Sequence, residues 1–245
     1  MNFNVDDNIL YARYDGHKWE KGSEIIYNGS NGNVQSLDSC MLSNGPVVLT
    51  YTVQTDTTGD VSGLEVFYSI VDPAGNVTTV NASSNPNRAD DRAQVISLDD
   101  TAILAWYSVA GENTSDKNES AADIYLLGIK QNGAIVADIP QSVTAIDADA
   151  AVTNIFAITG NSVEDFSVAW VLPMEEPKAE GDDSKFGGMY SSVYASKITK
   201  SNVKGGSAVY TMTTPAEVIK TGRCELIDNL AMKAVPDSNV LEFYL

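Results

Sequence analysis

The chain has 245 residues, 43% of them hydrophobic, and a formal net charge of −18 at pH 7. This length and apolar content suffice for one large all-β domain over residues 1–245. No apolar run approaches the roughly 18 to 20 residues of a membrane helix. The negative charge opposes binding to nucleic acid and to anionic membranes, which attract Lys and Arg. We therefore expect neither a nucleic-acid partner nor membrane insertion.

The predicted elements form a repeat. Two strands come first, at residues 8–14 and 24–27, joined across a turn. A unit of strand, tight turn, strand, long loop, strand, tight turn and strand then occurs three times, and a last hairpin follows. Runs rich in Val, Ile, Tyr and Trp between Asn-Gly or Asp-rich turns indicate β-hairpins. The units span residues 34–80, 93–138, 152–211 and 226–245, the last completed by residues 8–27.

Aromatic residues recur at two places in each unit. Stacked sheets need large side chains to fill the space between them. We therefore interpret these residues as packing residues. In the second strands they are Tyr51, Trp106, Trp170 and Phe243, and in the third strands they are Tyr11, Tyr68, Tyr125 and Tyr194.

This pattern resembles a β-propeller, in which four-stranded antiparallel sheets, the blades, stand around a channel. The resemblance implies four blades in a ring that strands from both ends of the chain close. Residues 14–19, Tyr-Asp-Gly-His-Lys-Trp, are similar to the Asp-box turn of sialidase-type propellers, although their Asp and Gly are adjacent. Two alternatives stay open, part of a larger propeller and a two-sheet β-sandwich.

The predicted loops differ between the two faces of such a propeller. The tight turns fall on one face, and the long insertions at residues 55–63, 109–122 and 173–190 fall on the other. Insertions collected on one face of a repeat protein often form its binding surface. The residues just before each first strand ring the channel mouth on that long-loop face. They include Asn33, Asp91, Arg92, Asp147, Asp149 and Arg223, which we take as candidate ligand-binding residues.

The chemistry of these candidates suits a polar ligand. Arg92 and Arg223, beside carboxylates, offer bidentate hydrogen bonds. Asp147 and Asp149 offer oxygens to Ca²⁺, although two carboxylates fall short of the roughly six to eight oxygens that this ion takes. The alternative is a solvated network of salt bridges. We expect no resident cofactor and leave Ca²⁺ open.

Signatures of catalysis are mostly missing from the sequence. His17 is the only histidine and lies in a predicted turn, which excludes a His-rich metal site and argues against a Ser-His-Asp triad. A sialidase has three arginines converging on a carboxylate. This chain has four arginines, and Arg13 lies on a predicted blade strand, which leaves Arg88, Arg92 and Arg223.

We therefore predict a non-catalytic binding or adhesion module for carbohydrate or protein, part of a larger multidomain protein that is extracellular or at the cell surface. One alternative is a glycoside hydrolase or lyase with an acidic site in the channel mouth. Another is a structural spacer domain. Cys40 and Cys224 form either one disulfide or two half-buried thiols.

Overall fold

The computed structural model describes most of the chain, and the structural statements below concern this part. It comprises residues 8–19, 24–27, 32–55, 63–84, 88–110, 122–132, 134–137, 140–142, 154–175, 188–202, 208–222, 225–236, 238 and 240–245.

Strands dominate the described residues, which contain no α-helix and hence no helix able to cross a membrane. The first nine strands are β1 (Ile9–Tyr11), β2 (Glu24–Tyr27), β3 (Asn33–Met41), β4 (Val47–Gln54), β5 (Leu64–Val71), β6 (Val77–Asn81), β7 (Arg88–Leu98), β8 (Thr101–Ala110) and β9 (Ala122–Asn132). The others are β10 (Ala134–Ala137), β11 (Gln141–Ser142), β12 (Phe156–Ser162), β13 (Asp165–Glu175), β14 (Met189–Asn202), β15 (Ala208–Met212), β16 (Ala216–Lys220), β17 (Ala231–Ala234) and β18 (Leu241–Tyr244).

Three complete sheets follow one another along the chain, each with four antiparallel strands in sequence order. They are the first sheet, β3-β4-β5-β6, the second sheet, β7-β8-β9-β10, and the third sheet, β12-β13-β14-β15. In the second and third sheets a further short strand extends the outer edge, as β11 on β9 and β16 on β14. Two strand pairs remain, the first half-blade, β1-β2, and the last half-blade, β17-β18. The predicted all-β fold of four-stranded antiparallel blades is confirmed.

The second strand of each complete sheet is buried along most of its length. In β4 the six residues 48–53 are all buried, and β8 has a similar run. Adjacent residues of β8 enter different hydrophobic clusters, because Ile103 packs with Phe156 of the third sheet and Leu104 with Val48 of the first. A strand covered on both faces reads as a continuous apolar run in sequence. The second sheet therefore lies between the other two.

The half-blades cover the outer faces of this stack. Ile9 of β1 packs with Leu49 and Tyr51 of the first sheet. Phe243 of β18 packs in a cluster with Ala169 and Val171 of the third sheet. The order is thus first half-blade, first sheet, second sheet, third sheet and last half-blade. A two-sheet sandwich is excluded by this stacking, and the sheets are arranged as the blades of a propeller are.

The tight turns of successive blades lie side by side. The backbone N–H of Val163 donates to Asp99 Oδ2 at 3.4 Å, which joins the β12–β13 turn to the β7–β8 turn. Asn161 Nδ2 donates to the carbonyl oxygens of Val235 and Ser238, each at 3.3 Å, in the β17–β18 turn. The opposite strand ends, where the long insertions begin and end, therefore share the other face.

The expected closure of the ring by both ends of the chain is not seen. Among the described residues, β18 pairs with β17 and β1 pairs with β2, and the two half-blades belong to separate hydrophobic clusters at opposite ends of the stack. The packing of each half-blade on its own neighbouring sheet explains the separation. The number of blades and the single domain over residues 1–245 stay predictions.

The repeated aromatic residues pack as expected, with one error of register. Trp106 lies opposite Tyr125 and Trp170 opposite Tyr194, and both pairs are stacked. In the first sheet, the residue opposite Tyr51 is Phe67, with ring centroids 6.0 Å apart, so Phe67 and not Tyr68 is the equivalent of Tyr125 and Tyr194. Side chains alternate between faces along a strand, so Tyr68 points toward the second sheet.

A matched pair of tryptophans tests this packing. Trp106 Nε1 donates to Asp90 Oδ1 at 3.1 Å, whereas the buried Trp170 Nε1 has no hydrogen-bond partner. We expect Trp106→Phe to lower the free energy of unfolding by about 1 to 2 kcal/mol more than Trp170→Phe, since it alone breaks a buried hydrogen bond. Urea unfolding of both variants measures the difference. Equal losses would contradict this assignment.

Candidate binding groove at the channel

A groove of about 740 Å³ runs along the innermost strands. Its walls come from the first strand of each complete sheet and from the segment that leads into β17. It therefore occupies the position of a propeller channel. Its lining residues include Leu37, Asp38, Arg92, Gln94, Phe156 and Leu226.

Hydrogen bonds between blades hold the walls of this groove together. Asp38 Oδ2 in β3 accepts the backbone N–H of Val95 at 2.9 Å. Gln94 Nε2 in β7 donates to the carbonyl oxygen of Phe156 at 2.7 Å. These side chains take the place of strand pairing between the inner edges of neighbouring blades. The three inner strands are thereby fixed relative to one another.

A β-bulge in β7 directs one arginine into the groove. Asp91 pairs with Tyr107 and Gln94 pairs with Ala105, so two residues, 92 and 93, share the place opposite Trp106. Arg92 has a φ of 57°, in the left-handed region that non-glycine residues rarely adopt. Bulges and strained backbone conformations of this kind are frequent at functional sites.

The side chain of Arg92 is only weakly held by its own protein. Its Nε lies 3.8 Å from Asp91 Oδ2, and its side chain is 60% exposed. The Asp91 carboxylate is occupied at its other oxygen, because Oδ1 accepts the Arg92 backbone N–H at 2.6 Å. Most donors of the guanidinium are therefore exposed, and Arg92 is one of the residues that line the groove.

Apolar side chains also face the groove. Leu37 of β3 is 54% exposed and Leu226, before β17, is 58% exposed. Exposed leucines of this size are costly to leave in water. Together with Arg92, they give the groove aliphatic walls and one cationic side chain, and the carboxylates of Asp38 and Asp228 also line it.

The predicted site residues separate into three groups. Asp91 and Arg92 lie side by side at the bulge, and Arg92 lines the groove. Asn33 is exposed at the start of β3, opposite Gln54, and does not line the groove. The candidates that lie outside the described residues are Asp147, Asp149 and Arg223.

Two of the four arginines, Arg88 and Arg13, bind other groups of the protein and do not belong to a cluster at the channel mouth. Arg88 is buried, where its Nε donates to Ser108 Oγ at 2.7 Å and it pairs with Asp123 at 2.9 Å. Arg13 donates to the Pro73 carbonyl oxygen at 3.2 Å, at a tight turn. Arg88 was therefore wrongly counted as a candidate. The sequence did not indicate this, because the buried partner Asp123 lies far along the chain.

A second carboxylate lies close to this buried pair. Asp90 is 2% exposed and sits in a row across three strands, opposite Ser108, which in turn lies opposite Asp123. Asp90 Oδ2 has no hydrogen-bond partner. Burial raises the pKa of the Asp90 carboxyl, against the opposing effects of its hydrogen bonds and of the Arg88 charge. This polar row fixes the long-loop end of the second sheet.

Cys40 carries a free, half-buried thiol that packs toward the second sheet. Burial, with the nearby Asp38 charge, raises its pKa to about 12, so the thiol is protonated at neutral pH. Cys224 lies outside the described residues. The described His, Cys, Asp and Glu side chains include no group placed to hold a metal ion, and the expectation about Ca²⁺ at Asp147 and Asp149 stays a prediction.

Comparison with known proteins leaves the family open. No protein-family model matches the chain, and no curated protein matches it. Among solved structures the chain is similar to the Trypanosoma rangeli sialidase, with 13% sequence identity and a TM-score of 0.42. The alignment covers 94% of this chain and 45% of the sialidase chain, so this chain spans less than half the length of that protein. A similarity of this size says nothing about a shared activity.

We expect substitution by asparagine to change the free energy of unfolding differently at the two buried carboxylates, Asp123 and Asp90. Asp123→Asn leaves the Arg88 charge buried without its carboxylate, and we expect it to cost about 3 to 5 kcal/mol of unfolding free energy at pH 7. Asp90→Asn should cost less. The folded pKa of Asp90 is raised above its ordinary value of 3.8, so its contribution is full below that value and declines as pH rises.

Denaturant unfolding of wild type and Asp90→Asn across about pH 4 to 7 measures this linkage. The variant lacks the decline, so its stability should rise relative to wild type as pH increases. A fall over the same range would show that the Asp90 carboxylate is stabilised, not penalised, by its surroundings. Asp123→Asn serves as the control for loss of a paired carboxylate.

Proposed function

We propose that this chain is a non-catalytic binding or adhesion module of a secreted or cell-surface protein, and that it takes a carbohydrate or protein ligand in the channel groove on the long-loop face. One observation carries the proposal. The β7 bulge holds Arg92 in a strained backbone conformation that exposes its guanidinium to the groove.

The dimensions and chemistry of the groove support this proposal. Its volume of about 740 Å³ falls within the range of ligand pockets, roughly 300 to 1,000 Å³. Such pockets combine apolar walls with a few well-placed polar groups, as Leu37, Leu226 and Arg92 do here. A planar guanidinium forms paired hydrogen bonds to carboxylate or sulfate groups. An acidic group of a glycan or of a protein ligand therefore fits the Arg92 guanidinium.

The alternative of a glycoside hydrolase or lyase requires two carboxylates that flank a ligand, about 5 to 9.5 Å apart in hydrolases. Asp91, one of the two predicted acids, is occupied by the Arg92 backbone N–H. The other, Asp149, lies outside the described residues. Because Asp91 has a structural role at the bulge, the binding module is the better supported reading.

Two substitutions of Arg92 separate the effect of its charge from the effect of its strained backbone conformation. Both Arg92→Ala and Arg92→Gly remove the guanidinium, but glycine adopts the left-handed conformation without steric cost. We expect both to weaken binding at least tenfold. We also expect Arg92→Gly to be more stable than Arg92→Ala by about 1 kcal/mol.

Glycan arrays and acidic peptides, with and without Ca²⁺, supply the probe, and calorimetry measures its affinity for each variant. Arg13→Ala is the matched control, because it removes the same charge at a tight turn. Retained affinity in both Arg92 variants would place the ligand elsewhere. Equal loss in Arg13→Ala would reduce the effect to net charge.

A further inference from the structure

Asp90 is a buried acid two residues before Arg92 in β7. Its Oδ1 accepts the indole N–H of Trp106 at 3.1 Å, whereas its Oδ2 has no hydrogen-bond partner in the described part of the chain. A buried polar atom without a partner costs free energy. The second oxygen of Asp90 is therefore a place where a proton, which removes the charge, lowers that cost.

The tryptophan that Asp90 binds lies opposite the bulge. Arg92 and Ala93 share the place opposite Trp106, and Ala93 packs in the same buried cluster as Trp106. The extra residue of a bulge is left unpaired in the strand ladder, so its conformation depends on the side chains packed beside it. The bond from the indole N–H to Asp90 fixes the Trp106 ring. Asp90 is thereby connected to Arg92 through one buried side chain.

Charged and titratable groups face Asp90 from two sheets. In the second sheet they are Arg88 of β7 with Asp123 and Tyr125 of β9, and in the first sheet they are Asp38 and Cys40 of β3 with Tyr68 of β5.

The charges nearest to Asp90 already balance each other. Arg88 pairs with Asp123 at 2.9 Å, so an ionised Asp90 adds one negative charge to this buried group of described residues. Burial raises the pKa of the Asp90 carboxyl, and the Ser108, Trp106 and Ser83 side chains and the Arg88 charge only partly oppose this effect. A buried carboxyl in such surroundings favours its neutral form.

We propose that Asp90 regulates the Arg92 site by binding a proton: the neutral acid holds Trp106 and the bulge in place, and the ionised acid releases them. The proposal rests on the proposed function in taking Arg92 as the group that binds the ligand. A proton on Oδ2 leaves Oδ1 to accept the indole N–H. When that proton passes to solvent, the carboxylate gains hydration by moving away from Trp106. Arg92 then loses its fixed position, and affinity for an anionic ligand falls as pH rises.

Heteronuclear NMR of the ligand-free protein tests the link between Asp90 and Arg92. Over about pH 4 to 8, we expect the Trp106 indole N–H and the Arg92 backbone amide to shift together. Their common midpoint should lie above 3.8, the ordinary pKa of an aspartic acid side chain. The Trp170 indole N–H is the internal control, because it is buried and has no hydrogen-bond partner in the described part of the chain.

Asp90→Asn isolates the contribution of Asp90 to this titration. Asp91 also influences the Arg92 amide, because its Oδ1 accepts that N–H at 2.6 Å. Asparagine at position 90 keeps an oxygen for the indole N–H and carries no proton to lose. The shared step of Trp106 and Arg92 should therefore disappear in Asp90→Asn, whereas any step due to Asp91 persists.

Three further variants distinguish a positioning role from a general loss of structure. Asp90→Ala and Trp106→Phe break the same hydrogen bond, so each should move the Arg92 signal, and the double variant should add little. Asp90→Asn should restore the wild-type signal. Trp170→Phe alters an equally buried tryptophan in the third sheet and should leave the Arg92 signal unchanged.

Inorganic sulfate is the binding probe, because its charge stays constant over this pH range. We expect its affinity for the wild type to fall about fivefold from low to high pH, at the lower end of usual couplings between sites, and to stay constant in Asp90→Asn. Arg92→Ala shows whether sulfate binds at Arg92. Unchanged sulfate affinity in Arg92→Ala would count against the proposed function while the NMR link between Asp90 and Arg92 stands.

Two results would overturn the proposal. One is an Arg92 signal that does not follow the titration of Trp106, or that follows it equally in Asp90→Asn. The other is sulfate affinity that depends on Arg92 but not on pH. If Asp90→Ala or Trp106→Phe fails to fold, the wild-type titration and Asp90→Asn still decide, because both keep the hydrogen bond at low pH.

Discussion

Burial of both faces of each sheet is the constraint on which the rest of this structure depends. Ile103 and Leu104, neighbours in β8, belong to different hydrophobic clusters, and each cluster joins the second sheet to one of its neighbours. Apolar burial contributes about 25 cal/mol per Å². A sheet buried in this way cannot form without its neighbours, so the blades stabilise one another in sequence order.

Polar side chains connect the sheets at the edges of the stack. Asp38 and Gln94 connect the inner strands, where backbone pairing between blades is absent. Arg88, with Asp123, fixes the long-loop end of the second sheet close to the bulge that exposes Arg92. The walls that β3, β7 and β12 give the groove are therefore rigid strands, and only the segment before β17 is irregular. A site held in this way loses little conformational freedom when a ligand binds.

Much of the fold was predictable because side-chain alternation and turn residues are local signals. Strand register and contacts between residues distant in sequence could not be predicted in this way. Tyr68 was aligned with Tyr125 and Tyr194 in place of Phe67, because the two neighbours are both aromatic and register depends on a single-residue shift. The partnership of Arg88 with Asp123 bridges strands distant in sequence. The bulge at Arg92 has no sequence signature, because glycine or asparagine usually marks a left-handed residue.

Hydrogen–deuterium exchange by mass spectrometry tests the stacking most directly, since amide protection reports the free energy of local opening. If the sheets stack as described, amides of β8, at the centre of the second sheet, exchange most slowly. Protection then falls through the first and third sheets to the two half-blades. Equal protection along the chain, or slower exchange in β1 and β18 than in β8, would contradict this account.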